Sequence, residues 1–209
     1  MGTVATPPVE RVVLRDISWD FYTQLLQELG DAPGTRVTYD GGLLQIMVVS
    51  LAHDNPNRLL SSIVEKVADQ LGIDFSPNGS TTLQRPDLLK GFEPDSCFYF
   101  KHAERMRGRD EIDLLRDPAP ELVIEVDVTS HSLNRFPIFA AVGVPEVWRH
   151  AAGVVSMYGL RDGQYEAIPR SLALPILTPQ AVTHFLAAAR QIPRPIWVRE
   201  LSEWVARQS

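Results

Sequence analysis

The chain has 209 residues, 44% hydrophobic and 22% charged, and its formal net charge is −6. That length can bury a substantial core within one domain, and the acidic balance excludes a protein that coats nucleic acid by bulk charge, though not one with a local basic groove. Cys97 is the single cysteine, so an intrachain disulfide and a cysteine-built zinc site are both ruled out in practice. No apolar stretch reaches the roughly 18–20 residues of a membrane span, and MGTVATPPVE lacks the charged start and apolar core of a secretory signal. These features lead us to expect a cytoplasmic protein that makes no membrane contact, with residues 1–10 as a disordered leader.

Ser18 reads as the N-cap of a helix that ends at Gly30, with Phe21, Tyr22, Leu25, Leu26 and Leu29 as its apolar stripe. TRVTYD and LLQIMVV flank Gly41-Gly42 as a β-hairpin. A loop through His53, Asp54, Asn55 and Pro56 then leads to a long helix, buried along Leu60, Ile63, Val64, Val67, Ala68 and Leu71 and closed by Gly72. IDFSP and STTLQR read as short strands around the Asn78-Gly79 turn, and RPDLLKGFEP as irregular chain. SCFYF is the next strand. The charge-rich run from Lys101 to Asp117 suits a short helix or a mobile loop equally.

Pro118 and Pro120 mark a loop that ends where LVIEVDV, Leu122–Val128, begins as the central strand. Side chains alternate along a strand, so Glu125 and Asp127 share a face, roughly 6.6–7 Å apart. Ionised carboxylates on a half-buried strand repel each other and lose hydration, which a metal ion, a basic partner or an exposed strand end must offset. Glu93-Pro94-Asp95 opens the SCFYF strand with more acidity. Asp95, Glu125 and Asp127 could therefore form a site for a hard divalent cation; the plainer alternative is three surface carboxylates at strand ends. Glu93, in a loop before proline, is expected to be solvated.

Pro137 suits only the first turn of a helix, which fixes a start near Asn134 to Phe136 and puts Arg135 at that start. The helix dipole disfavours a cation there. An acidic cluster or a bound phosphate would offset this; equally, Arg135 could be solvated and reach back to Asp127. His53 and His131 have no second histidine at ligand spacing and are expected to be solvated loop residues. No phosphate-loop pattern and no GxSxG elbow occurs. PEVWRH and GVVSMYGL read as closing strands. Thr178 and Pro179 start a further helix, and Pro193 and Pro195 separate it from a last one. That last helix carries Trp197, Val198, Leu201, Trp204 and Val205 on one face, which either covers its own core or pairs two copies as a homodimer.

The hairpin YDGGLLQIM, the segment GSTTLQRPDLLKGFEPDSCFYF and the segment PAPELVIEVDVTSHSLNRFPIFAAVGVPEVWR together resemble the restriction-endonuclease-like superfamily with the PD-(D/E)XK motif, and within it the Uma-two family of restriction endonucleases. The resemblance spans about Arg36 to His150. It implies an α/β fold: a restriction-endonuclease-like core of a mixed central sheet flanked by helices, with appended C-terminal helices over 178–209, all in a single domain. It also implies that Asp95 and Glu125 bind magnesium, or manganese in its place, in an endonuclease acting on double-stranded DNA. The catalytic set would be Asp95, Glu125, Asp127 and Arg135. Arg135 stands where the family has a displaced lysine, and Asp127 occupies the strand's own lysine position. Arginine keeps the charge but cannot act as a base, so a silent nuclease-fold protein that binds DNA or another protein is the alternative. Arg85, Lys90, Lys101, Arg105, Arg107 and Arg109 are the expected basic groove.

Overall fold

The computed structural model describes residues 11–30, 34–48, 51–127 and 134–208, with the backbone alone described at Leu51 and Ala52. A short strand that the sequence reading missed, β1 (Arg11–Leu14), precedes helix α1 (Trp19–Leu29). The Ser18 hydroxyl accepts the Phe21 N–H at 3.2 Å, the N-cap that the sequence predicts. Strands β2 (Thr35–Asp40) and β3 (Leu43–Val48) form the expected hairpin. Gly41 and Gly42 both have positive φ, 51° and 100°, as the tight turn of a two-residue hairpin requires. Against these strands α1 lays Tyr22, whose ring stacks on Tyr39 with centroids 4.9 Å apart.

Helix α2 (Leu51–Leu71) begins earlier than expected. The segment read as a loop, His53 to Pro56, forms its first turns. Pro56 lies just past the first turn and removes only the bond that would reach the carbonyl of residue 52, a loss the packed helix tolerates. Leu60, Ile63, Val64, Val67 and Ala68 are buried as predicted. Strands β4 (Ser76–Pro77) and β5 (Leu83–Arg85) do form, but the turn between them hands the chain from one sheet to another. The stretch read as irregular holds a 3-10 turn (Pro86–Leu88) and strand β6 (Lys90–Phe92). After β7 (Ser96–Tyr99), the charge-rich segment contributes one helical turn, α3 (Ala103–Met106).

The rest of the chain supplies β8 (Leu122–Asp127), α4 (Phe136–Val142), β9 (Glu146–Ala151), β10 (Val154–Arg161), the unexpected β11 (Gln164–Ala167), α5 (Pro179–Ala188) and α6 (Arg194–Gln208). Two sheets result, ordered β1-β3-β2-β6-β5 and β11-β10-β9-β8-β7-β4. The second is mixed: β8 and β9 run parallel, joined through α4, while its other pairs are antiparallel. One face of β8, through Leu122, Ile124 and Val126, packs on α2, α5 and α6; Val123, on the other face, meets Ile138 and Phe139 of α4. This alternation puts β8 in the middle of the layers with its C-terminal end at the rim.

Trp197, Leu201 and Val205 of α6 are buried in this same core, and the Trp197 indole donates to the Phe185 carbonyl at 2.8 Å. The apolar face that suggested a homodimer is therefore covered by the chain itself. Thr178 caps α5 by accepting the Ala181 N–H, as predicted.

One buried carboxylate ties β9 to the segment before α5. Glu146 accepts from the Trp148 indole at 2.6 Å, the Ser171 hydroxyl at 3.1 Å, and the Leu172 and Ala173 N–H groups at 2.9 Å each. Glu146→Gln replaces one acceptor oxygen by a donor that faces other donors. It should cost about 1–3 kcal/mol, read as a lower urea midpoint at an unchanged slope.

Candidate active site

The antiparallel register pairs Ser96 with Ile124, so the next residue outward, Asp95, comes beside Glu125 where β7 begins and β8 ends. Asp95 fixes that junction: its Oδ2 accepts the Val126 N–H at 2.7 Å. Its other oxygen, Oδ1, is buried and has no hydrogen-bond partner among the described residues. Helix α2 holds Asp95 from the other side. Asn57 donates to the Asp95 carbonyl at 2.9 Å, and His53 Nε2 lies 3.2 Å from Oδ2 without the alignment of a hydrogen bond.

His53 thus departs from expectation. It is 3% exposed, inside α2, and touches Asp95. The signal was present: His53 and Asn57 continue the stripe of Leu60, Val64 and Val67 backwards at helical spacing, but the sequence reading places residues 53–56 in a loop. His131 lies outside the described residues, as does Val128.

Glu125 is 8% exposed and Arg135 6%. Arg135 Nη1 lies 2.9 Å from Glu125 Oε2 and 3.2 Å from Oε1, and donates to the Glu93 carbonyl at 3.3 Å. Arg135 is the N-cap residue of α4, as Pro137 dictates. The unfavourable helix dipole is offset by the acidic cluster, and the ion pair is made with Glu125 rather than Asp127. Burial raises the Glu125 carboxyl above its ordinary value; Arg135 opposes that rise, and the charges of Asp95 and Asp127 add to it. Burial alone would weaken the Arg135 charge, but Glu125, Asp95, Asp127 and Glu93 together hold its pKa above the ordinary value.

Asp127 shares the strand face with Glu125 and pairs with Arg149 of β9, whose Nη2 and Nε lie 2.6 and 2.7 Å from Oδ2. The sequence reading missed Arg149. Its register partner on β8 is Glu125, and it is the exposed member of the otherwise buried run Val147 to His150. Glu93, expected to be solvated, is half-buried, accepts from the Thr82 hydroxyl at 3.1 Å, and has its carboxyl pushed up by burial.

Of the expected basic groove, Lys101 alone makes no ion pair among the described residues. Arg85 pairs with Asp87, Lys90 with Asp40, Arg107 with Asp74, and Arg105 and Arg109 both with Asp117. Among the described residues no group of three or more histidine, cysteine, aspartate or glutamate side chains converges as a metal cage. The donor set nonetheless fits a hard cation that takes one or two carboxylates and completes its shell with water. The buried, unpartnered Asp95 Oδ1 beside Glu125 is the observation that meets this requirement.

His150 stands opposite Val126 on the α2 side of the sheet. Burial first, then the charges of Arg190 and His53, hold its pKa below the ordinary value. The unfolded chain therefore takes up a proton near pH 6.5 while the folded protein stays neutral, and the stability tied to His150 is lost as pH falls below that point toward the folded pKa. The Tm difference between wild type and His150→Gln should accordingly change in wild type's disfavour between about pH 6.5 and pH 5. A pH-independent difference would show that His150 does not titrate in this way.

Among the described residues no helix is long and apolar enough to cross a membrane. The family model Uma2 (Uma-two), described as "Putative restriction endonuclease", matches residues 19–189. No curated protein matches the sequence. Among solved structures, a protein from Anabaena variabilis ATCC 29413 described as "a putative nuclease belonging to DUF820" matches with a TM-score of 0.55 at 14% identity, over 81% of this chain and 99% of its own. That likeness bears on the fold, and it agrees with the mixed sheet and flanking helices seen here. Since the family match runs from the start of α1 to just past α5 and takes in both acidic strands, the chain belongs to the Uma2 family of restriction-endonuclease-like proteins.

Proposed function

We propose that the protein is a magnesium-dependent endonuclease, with manganese able to substitute, that hydrolyses phosphodiester bonds in double-stranded DNA in the cytoplasm. The observation that supports this best is the buried, unpartnered Oδ1 of Asp95 beside Glu125, with a cationic guanidinium directly over Glu125. Asp95 and Glu125 would hold the cation. When bound, such an ion supplies Lewis acidity toward a phosphoryl oxygen and a water of lowered pKa. The chain's own residues do the rest. Asn57 and the Val126 N–H fix Asp95; Arg135 orients Glu125 and brings positive charge to the place where a phosphate gains negative charge during attack. Asp127, held by Arg149, would orient water or complete the cation's coordination shell. Nothing in this arrangement requires a second copy of the chain.

A second reading is favoured by one feature: Arg135 engages both oxygens of Glu125 and stands where the family has lysine. On that reading the fold binds DNA or a protein partner without cleaving. Purified protein incubated with plasmid, linear duplex and single-stranded DNA separates the two. The nuclease reading expects cleavage with Mg²⁺ or Mn²⁺, none with EDTA, and none from Glu125→Ala. Equal cleavage by Glu125→Ala, or none by wild type, would overturn it.

A further inference from the structure

The positive charge expected between Arg85 and Arg109 is largely taken up in ion pairs, yet unpaired guanidiniums gather elsewhere. A cleft of about 810 Å³ lies between the first turns of α2 and the turn from α5 to α6, and Arg58, Arg190 and Arg194 line it. Among the described residues none of the three forms an ion pair, in a chain whose other arginines are mostly paired. Glu65 is the one carboxylate among the described lining residues. All three are exposed, and Arg194 is in addition held in place by donating to the Ser62 hydroxyl at 2.9 Å and lying 5.7 Å from the centre of the Trp197 ring.

Two residues of this cleft adjoin the candidate active site. Asn57 and Ser96 belong to its lining, Ser96 donates to Asn57 Oδ1 at 2.9 Å, and Asn57 holds the Asp95 carbonyl. Arg190 and His53 both act electrostatically on His150. The lining presents guanidinium forks, serine hydroxyls and two asparagines, and among the described residues it contains no aromatic ring on which a base could stack. Forks and hydroxyls suit phosphate oxygens, and contacts of that kind position a nucleic acid without reading its sequence. The volume lies in the range of built ligand sites.

We infer that this cleft, marked by Arg58, Arg190 and Arg194, is a sequence-independent seat for the phosphodiester backbone of the DNA strand that runs into the Asp95–Glu125 site. The inference rests on the nuclease reading for its ligand but is tested by binding. Arg58→Gln/Arg190→Gln changes two exposed side chains and leaves Arg194 and its packing intact, so the melting temperature should not move. With a fluorescein-labelled duplex of mixed sequence in EDTA, the double variant should bind about tenfold or more weakly at low salt. The slope of log affinity against log salt should shrink by about 1.8, roughly 0.9 for each lost phosphate contact. The loss should be the same on a second, unrelated duplex, and Arg105→Gln/Arg107→Gln should bind as wild type does. An unchanged affinity and slope in the Arg58/Arg190 variant, or a wild type that binds no duplex, would overturn the inference. Wild type that binds with this salt dependence but never cleaves keeps the seat and removes the nuclease; wild type that cleaves while the variant binds normally does the reverse.

Discussion

Replacing Arg135 by alanine should destabilise the protein by about 3–5 kcal/mol, the usual result of removing one partner from a buried ion pair. Glu125 would be left either with a charge that its surroundings hardly solvate or with a proton it must take up, and the Glu93 carbonyl would lose a donor as well. A second change, Glu125→Gln in the Arg135→Ala background, should recover much of the loss because no uncompensated charge remains. Urea unfolding of the two single variants and the double variant gives the coupling directly. If the folded Arg135→Ala protein is assayed, kcat should fall by roughly 10²–10³, as for the loss of one preorganised charge or donor. Arg135→Lys keeps the charge and should retain or raise activity. Cleavage unchanged in the alanine variant would leave Arg135 a purely structural partner of Glu125.

Asp95→Asn should give the opposite combination: activity lost, stability kept. Its remaining side-chain oxygen can still accept the Val126 N–H, so the junction of β7 and β8 stays tied. Removing a negative charge next to Glu125 also relieves repulsion there. The amide nitrogen, however, takes the place of the unpartnered Oδ1 that we assign to the cation. Cation-dependent cleavage should drop by about 10³ or more, equivalent to the several kcal/mol that such an ion contributes to transition-state stabilisation. A variant that melts as wild type and cleaves at the wild-type rate would show that Asp95 serves the fold alone.

How far these residues could be read from sequence depended on whether their partners were local. Ser18 and Thr178 mark helix starts through bonds spanning three residues, Pro179 through its fixed φ, and Gly41-Gly42 specifies its turn through backbone angles alone; all were legible. The alternation in LVIEVD placed Glu125 and Asp127 on one face for the same reason. Strands β1 and β11 lacked any such signal, since most of their residues are exposed and carry no buried period. Nor could local pattern tell that β4 and β5 join different sheets, because their partners, β7 and β6, are chosen by long-range packing. The same limit hid the contact between His53 and Asp95, the pairing of Arg149 with Asp127, and the pairing of much of the expected basic groove with Asp40, Asp74 and Asp117. Residue types foretold where acid would gather; only the fold decided which charges would be left free.

The central claim is that Asp95 and Glu125 hold one divalent cation between β7 and β8. Titrating metal-free protein with Mn²⁺ and following the free ion by its paramagnetic resonance tests it without any DNA. Wild type should remove a single ion per chain from solution, while Asp95→Asn and Glu125→Gln should each abolish that uptake with the melting temperature of Asp95→Asn unchanged. Uptake of the ion that survives both substitutions would contradict the account.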